Sequence, residues 1–180
     1  MTDPLAALTP DLAAIGWDDD LDAWADGTGL DGRRGRIARS TRGYCLVFTA
    51  GAAELAASSS VRSQGDLAPS TGDFVIVVDT DDGPAIGAIA PRRTDLARRA
   101  PGRVPGPQTL AANIDDVFVM HGLDRPVNYR RLERQLVIAW QSGATPFVLL
   151  TKADEVRHHE EAVESIRSIA PGVEILAISI

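Results

Sequence analysis

The sequence predicts a small β barrel followed by an α/β unit built on a parallel sheet. Three observations carry this. Short β-rich runs alternate with turn signals from Arg33 to Pro91. A stretch rich in Pro, Gly and Arg then interrupts the pattern at 91–107. Beyond it apolar strands alternate with amphipathic helices, the order in which parallel strands are joined by crossovers.

Residues 5–26 read as an acidic helical arm. Leu5, Leu8, Leu12 and Ile15 follow helical spacing, Trp17, Leu21 and Trp24 extend the apolar edge, and Gly27, Gly29 and Gly32 end it. The barrel begins with a hairpin, Arg36 to Ser40 and Tyr44 to Thr49, around Thr41-Arg42-Gly43. Glu54 to Ser63 is a weaker, Ala- and Ser-rich strand. Pro69 to Asp73 forms a turn before the β-branched run Phe74 to Asp79, and Asp81-Asp82-Gly83 turns into Ala85 to Ala90. Five short strands of this kind suit a closed barrel of the OB type. Tyr44, Phe48 and Phe74 are expected to fill its core. In the α/β part, strands are predicted at Asp116 to Met120, Phe147 to Leu150 and Glu174 to Ser179. A helix from Pro126 to Ser142 places Tyr129, Leu132, Leu136 and Trp140 on one side, with Pro126 in its first turn. A second, Val156 to Ala170, turns Val163, Ile166 and Ala170 inward. The predicted boundaries are a helical extension at 1–31, the barrel at 32–92, a linker at 93–110 and the α/β part at 111–180.

The net charge is −7, but it is unevenly placed. Residues 1–32 hold eight Asp and no base, whereas residues 33–103 hold eleven Arg against seven acids. That basic middle is where contact with RNA phosphate is to be sought, with Arg33, Arg34, Arg36, Arg42, Arg92 and Arg93 as candidates. The single cysteine, Cys45, lies among Tyr44, Leu46 and Val47 and reads as a buried structural thiol. Apolar runs such as Phe147 to Leu150 are too short to span a bilayer, and the N-terminus shows no secretory signal. A cytoplasmic monomer is expected.

Ligands of open α/β sheets bind at the carboxyl ends of the strands. Thr151-Lys152-Ala153-Asp154 and Ser179 fall there. The tetrad matches the guanine-specificity pattern [NT]-K-x-D of GTPases, and the chemistry explains the spacing. A carboxylate at Asp154 accepts from both the ring N1–H and the exocyclic amine of guanine, a bidentate charge-assisted pair that adenine cannot make. The Lys152 stem covers one face of the base, and Thr151 braces the loop. Lys152 is also the only lysine in the chain, beside seventeen Arg.

Several segments together resemble the RsgA (YjeQ) family of ribosome-small-subunit-dependent GTPases. Leu12 to Trp17 resembles its L-x-x-x-G-W element, and Arg36 to Leu46 its opening barrel hairpin. Pro69 to Val75 is similar to P-x-V-G-D-W-V, with Thr71 and Phe74 as departures. Ile89 to Arg98 resembles I-x-P-R-x-S-x-L-x-R, and Ala111 to Val117 resembles A-x-N-V-D-x-V. Leu149 to Asp154 matches L-[NT]-K-x-D-L up to Glu155, which stands in place of Leu. The resemblance implies an OB-fold followed by the first half of a circularly permuted P-loop GTPase domain. It implies GTP or GDP with Mg²⁺ as ligand, and the small ribosomal subunit and its rRNA as partners. In that family the phosphate loop, switches and a zinc module follow the base-reading loop. The chain contains no G-x-x-x-x-G-K-[ST] and no zinc-ligand cluster, His158 and His159 being adjacent helix residues. It is therefore expected to be a truncated form with no catalytic or metal-binding residue and no hydrolysis of its own. Ser179 would open the loop at guanine O6, although Ile180 stands where Ala is expected. Two other functions fit the same residues: an RNA-binding OB module with a structural α/β half, and a nucleotide-binding protein unrelated to ribosomes.

Overall fold

Asp18 and Gly16 decide where the first helix begins. Gly16 ends a 3₁₀ turn (Ala13–Ile15) with φ of 86°, a left-handed conformation that breaks the helical run. Asp18 then caps α1 (Asp19–Thr28), its carboxylate accepting from the Leu21 N–H at 3.1 Å. Asp19, Asp20 and Asp22 occupy the first turn, where the helix dipole favours negative charge. The arm expected as one helix over 5–26 is thus interrupted at Gly16. The structure, a computed structural model, describes residues 11–57, 67–99 and 107–179, so the start of that arm lies outside the described residues. The chain divides into two units, Met1–Arg93 with Thr109–Asn113, and Thr94–Gln108 with Ile114–Ile180.

In the first unit five strands close a barrel: β1 (Arg33–Ser40), β2 (Tyr44–Thr49), β3 (Ala52–Ala57), β4 (Phe74–Thr80) and β5 (Gly83–Ile89). Their order is β1-β2-β3-β5-β4, antiparallel except for β3 beside β5. The Ala/Ser-rich strand starts at Ala52, and its predicted end at Ser63 lies outside the described residues. Ile37, Cys45, Val47, Ala56, Val75, Val77 and Ile86 fill the interior. On the outside of β4, Phe74 and Ile76 meet Trp17, Leu21 and Ala25. The continuous apolar run of β4 follows from burial on both faces, by the barrel and by α1. Phe74 is buried under the helix rather than inside the barrel. Tyr44, expected in the core, shares the outward phase of β2 and is 58% exposed. Cys45 is fully buried, and burial pushes its thiol pKa up.

The segment expected as a linker contains β6 (Asp95–Arg99) and β7 (Pro107–Ala112), which form a two-stranded sheet. Its Pro and Gly residues concentrate at 101–107, and their composition masks the strands on either side.

In the second unit β8 (Asp116–Gly122), β9 (Thr145–Thr151) and β10 (Glu174–Ala177) form a parallel sheet in the order β10-β9-β8. The register pairs Phe118 with Phe147 and Val119 with Val148. Val119, Val148 and Leu150 face α2 (Tyr129–Gln141) and α3 (His159–Ile169), which bring Leu132, Leu136 and Ile166 to the core. The opposite face carries Phe118 and Met120, more than half exposed, and Phe118 stacks on Phe147 with centroids 5.2 Å apart. Helix α2 starts later than predicted, because Asn128 caps it through the Arg131 N–H at 3.0 Å and leaves Pro126 outside. Tyr129 and Trp140 are exposed, contrary to expectation. They sit at the helix ends, roughly 50–75° around the axis from the stripe of Leu132, Leu136 and Ala139.

One buried ion pair in the first unit joins the residue before β4 to the segment after β5. Asp73, with no exposed surface, accepts two bonds from the Arg92 guanidinium at 2.7 and 2.9 Å and one from the Ser70 N–H at 2.8 Å. Arg92, whose side chain is 7% exposed, also donates to Thr109 Oγ1 and to the Ala68 carbonyl. Arg92→Met should lower unfolding free energy by about 3–5 kcal/mol, because it strands Asp73 as a buried charge. Urea unfolding measures this, and a loss below about 1 kcal/mol would mean water reaches Asp73 once Arg92 is gone.

Candidate functional site

Parallel pairing sets the carboxyl ends of β8, β9 and β10 along one edge, and hydrogen bonds lace their loops together there. Leu123 N–H, just after β8, donates to the Thr151 carbonyl at 3.0 Å. Ile178 N–H, just after β10, donates to the Leu150 carbonyl at 2.8 Å, and Ala153 N–H donates to the Ile178 carbonyl at 3.1 Å. The Thr151-Lys152-Ala153-Asp154 loop is therefore tied to both neighbouring strands. Ala153 is buried in the core of the second unit and anchors the loop from beneath. Thr151 and Lys152 are half-buried, whereas Asp154 and Ser179 are exposed, with Ser179 following the Ile178 carbonyl that Ala153 engages.

Lys152 adopts φ 60° and ψ 38°, a left-handed conformation shared among the described non-glycine residues only by Asn113. For an ordinary side chain this costs about 1 kcal/mol or more. The turn sends the chain into the 3₁₀ segment Ala153–Glu155, which carries Asp154. The Lys152 ammonium donates to Asp124 Oδ2 at 2.8 Å, bridging the loops after β9 and β8. That bond is the main cause holding the Asp124 carboxyl below the usual carboxylate range, with Arg125 nearby adding to it. The same bond raises the Lys152 pKa. Asp124 belongs to no motif and is separated by 28 residues from its partner, so nothing in local spacing marks it.

Five of the six candidate arginines of the first unit are engaged internally. Arg33 bonds both oxygens of Glu54 and both of Asp79, and Asp79 foremost and then Glu54 drive its pKa upward. Arg34 bonds Asp22 and Asp26 on α1. Arg36 donates to the carbonyls of Ile15, Gly72 and Asn113 and lies 4.8 Å from the Phe74 ring centroid. Arg92 faces Asp73, and Arg93 pairs with Asp18, which holds that carboxyl low. Arg42, at the tip of the β1–β2 hairpin, is exposed.

A family model described as RsgA GTPase matches residues 89–180. The chain belongs to the RsgA family. Among relatives named "Small ribosomal subunit biogenesis GTPase RsgA", that of Methanosarcina acetivorans is 36% identical over 170 residues, covering 91% of this chain and 45% of the relative. The RsgA of Streptomyces coelicolor is 36% identical over 173 residues, covering 93% and 47%. The chain thus spans about half the length of the curated RsgA relatives it matches. Two solved structures share the fold: YloQ, described as a circularly permuted GTPase, with TM-score 0.60 at 17% identity, and YjeQ from Thermotoga maritima, with TM-score 0.59 at 18%. They cover 83% and 82% of this chain, and it covers 52% and 51% of theirs. The barrel and parallel sheet accordingly form an OB-like domain and part of a permuted GTPase fold.

Because the Asp124 pKa is lower in the folded state, the Asp124–Lys152 pair favours the fold fully above the unfolded pKa, and that contribution is lost as pH falls through the folded one. Carboxyl ¹³C NMR should place the Asp124 midpoint below the usual aspartate value, and Lys152→Met should return it upward. Identical midpoints in both proteins would show that the pair does not form in solution.

Proposed function

We propose that the chain is the guanine-reading part of a GTPase acting in small-subunit maturation, with a barrel that contacts ribosomal RNA. The observation that carries this is the Thr151–Asp154 loop, laced to both neighbouring strands at the carboxyl edge of a parallel sheet. The exposed Asp154 carboxylate supplies the double acceptor that guanine N1–H and its amine require. The Lys152 stem covers the base, Thr151 braces the loop, and Ser179 approaches the O6 side. The loop fits the base of GTP or GDP. Phosphates and Mg²⁺ belong to a segment outside these residues, since the phosphate-loop pattern is absent from the sequence. Zinc belongs to a later module of the longer protein, which works in the cytoplasm. These residues alone hydrolyse nothing.

RNA contact by the barrel is sequence-independent and made to phosphates. Arg42 stands on an exposed hairpin tip, whereas the exposed parts of Arg33 and Arg93 are already bonded to carboxylates. Arg33, Arg34, Arg36, Arg92 and Arg93 serve mainly to hold the barrel in shape. In the full-length protein, Arg42→Ala should weaken binding to small-subunit particles and reduce the salt slope by about one. An unchanged slope would remove Arg42 from the interface.

Base reading is tested at Asp154. In the full-length protein, Asp154→Asn exchanges a double acceptor for one acceptor and one donor. GTP affinity should fall roughly tenfold to a hundredfold, matching about 1–3 kcal/mol for an unpaired polar group. XTP, with an oxygen in place of the amine, should bind the variant more tightly than it binds wild type. Paired titrations with both nucleotides measure this, and no change in either would refute the assignment.

A further inference from the structure

We propose that Asp124 is a positioning residue that holds the Lys152 side chain in the orientation that covers the guanine base. This rests on the assignment of the Thr151–Asp154 loop to guanine and extends it to a residue outside the motif.

The geometry on both sides of the pair is constrained. Asp124 sits two residues beyond the end of β8, and a Cβ placed on Gly122 would come within 2.6 Å of Asp124 Oδ1. The carboxylate is thus seated against a strand end that has no side chain. The same imaginary Cβ lies 3.6 Å from Thr151 Oγ1, so the seat borders the base-reading loop itself. The Leu123–Thr151 hydrogen bond fixes the spacing of the two loops, and the left-handed Lys152 backbone fixes where its stem departs. At the far end of that stem, Asp124 takes the ammonium at 2.8 Å. Both ends of a long, otherwise freely rotating side chain are therefore held.

Such a pair contributes little to stability. The Lys152 and Asp124 side chains are 40% and 26% exposed, and solvent screens charges placed so near the surface. Preorganisation is what it supplies. A lysine that must stop rotating when ligand arrives loses conformational entropy at that step, and one already held loses less. The pair is directional as well. Asp124 accepts the ammonium while leaving the apolar methylenes free to lie along the ring.

The test is GDP titration of the full-length protein in a double-mutant cycle. Asp124→Asn is nearly isosteric and removes the charge. It should weaken GDP binding about threefold to tenfold, in proportion to the rotamer freedom restored to Lys152. Asp124→Glu, which keeps the carboxylate on a longer stem, should recover part of the loss. In a Lys152→Met background Asp124→Asn should have no effect, because no ammonium is left to position. Equal loss in both backgrounds would assign Asp124 to loop architecture and overturn the proposal. Unchanged or tighter GDP binding by the single variant would overturn it too, the latter by showing that Asp124 competes with the nucleotide for Lys152. Asp154→Asn, run alongside, separates the two assignments. If it exchanges GTP for XTP while Asp124→Asn changes nothing, only the positioning role falls. If it changes neither nucleotide, both fall together.

Discussion

The candidate site depends on the parallel pairing of β8, β9 and β10. Antiparallel neighbours would send alternate loops to opposite ends of the sheet. Parallel pairing instead brings Leu123, Thr151 and Ile178 to one edge, close enough for main-chain bonds between loops that lie far apart in sequence. Burial enforces the register. A slip of one residue would turn Val119, Val148 and Leu150 away from the helices and bring Phe118, Phe147 and Leu149 against them. The same alternation that packs α2 and α3 therefore fixes where Lys152 and Asp154 stand.

Charge in the first unit has a structural job before any other. Arginine suits it, since a planar fork satisfies a carboxylate bidentately. Arg33 ties three strands together by clamping Glu54 on β3 and Asp79 on β4 from its place on β1. Arg34 fastens the acidic helix α1 to the barrel, and Arg93 does so at its N-terminal end through the capping Asp18. The acidic first stretch and the basic middle of the sequence, which look like separate features, meet within one unit where Arg34 and Arg93 pair with Asp22, Asp26 and Asp18. Charge counted along a chain overstates what its surface shows to a polyanion.

The strands of the barrel and of the sheet are legible in the sequence because β-branched runs and Gly-containing turns are local signals. So is the tetrad at Thr151–Asp154, where spacing encodes chemistry. What escapes is long-range or masked by averages. The break at Gly16 hides because apolar residues continue in phase on either side of it. Strands β6 and β7 hide behind the Pro and Gly residues between them. Tyr129 and Trp140 lie on the margin of the α2 stripe, where an apolar side chain at helical spacing is near the core face without being covered by it. Asp124 is invisible for the same kind of reason, as its partner comes from another loop.

Lys152 shows the tension between a backbone and the side chain it must carry. Its left-handed conformation is one that Asn or Gly adopts at lower cost, and either would relieve the turn. Neither offers a long apolar stem ending in a cation. On the proposed base-covering role, stability and ligand contact therefore pull this position in opposite directions. Engineering that follows folding energy alone would erode the candidate site from its second residue.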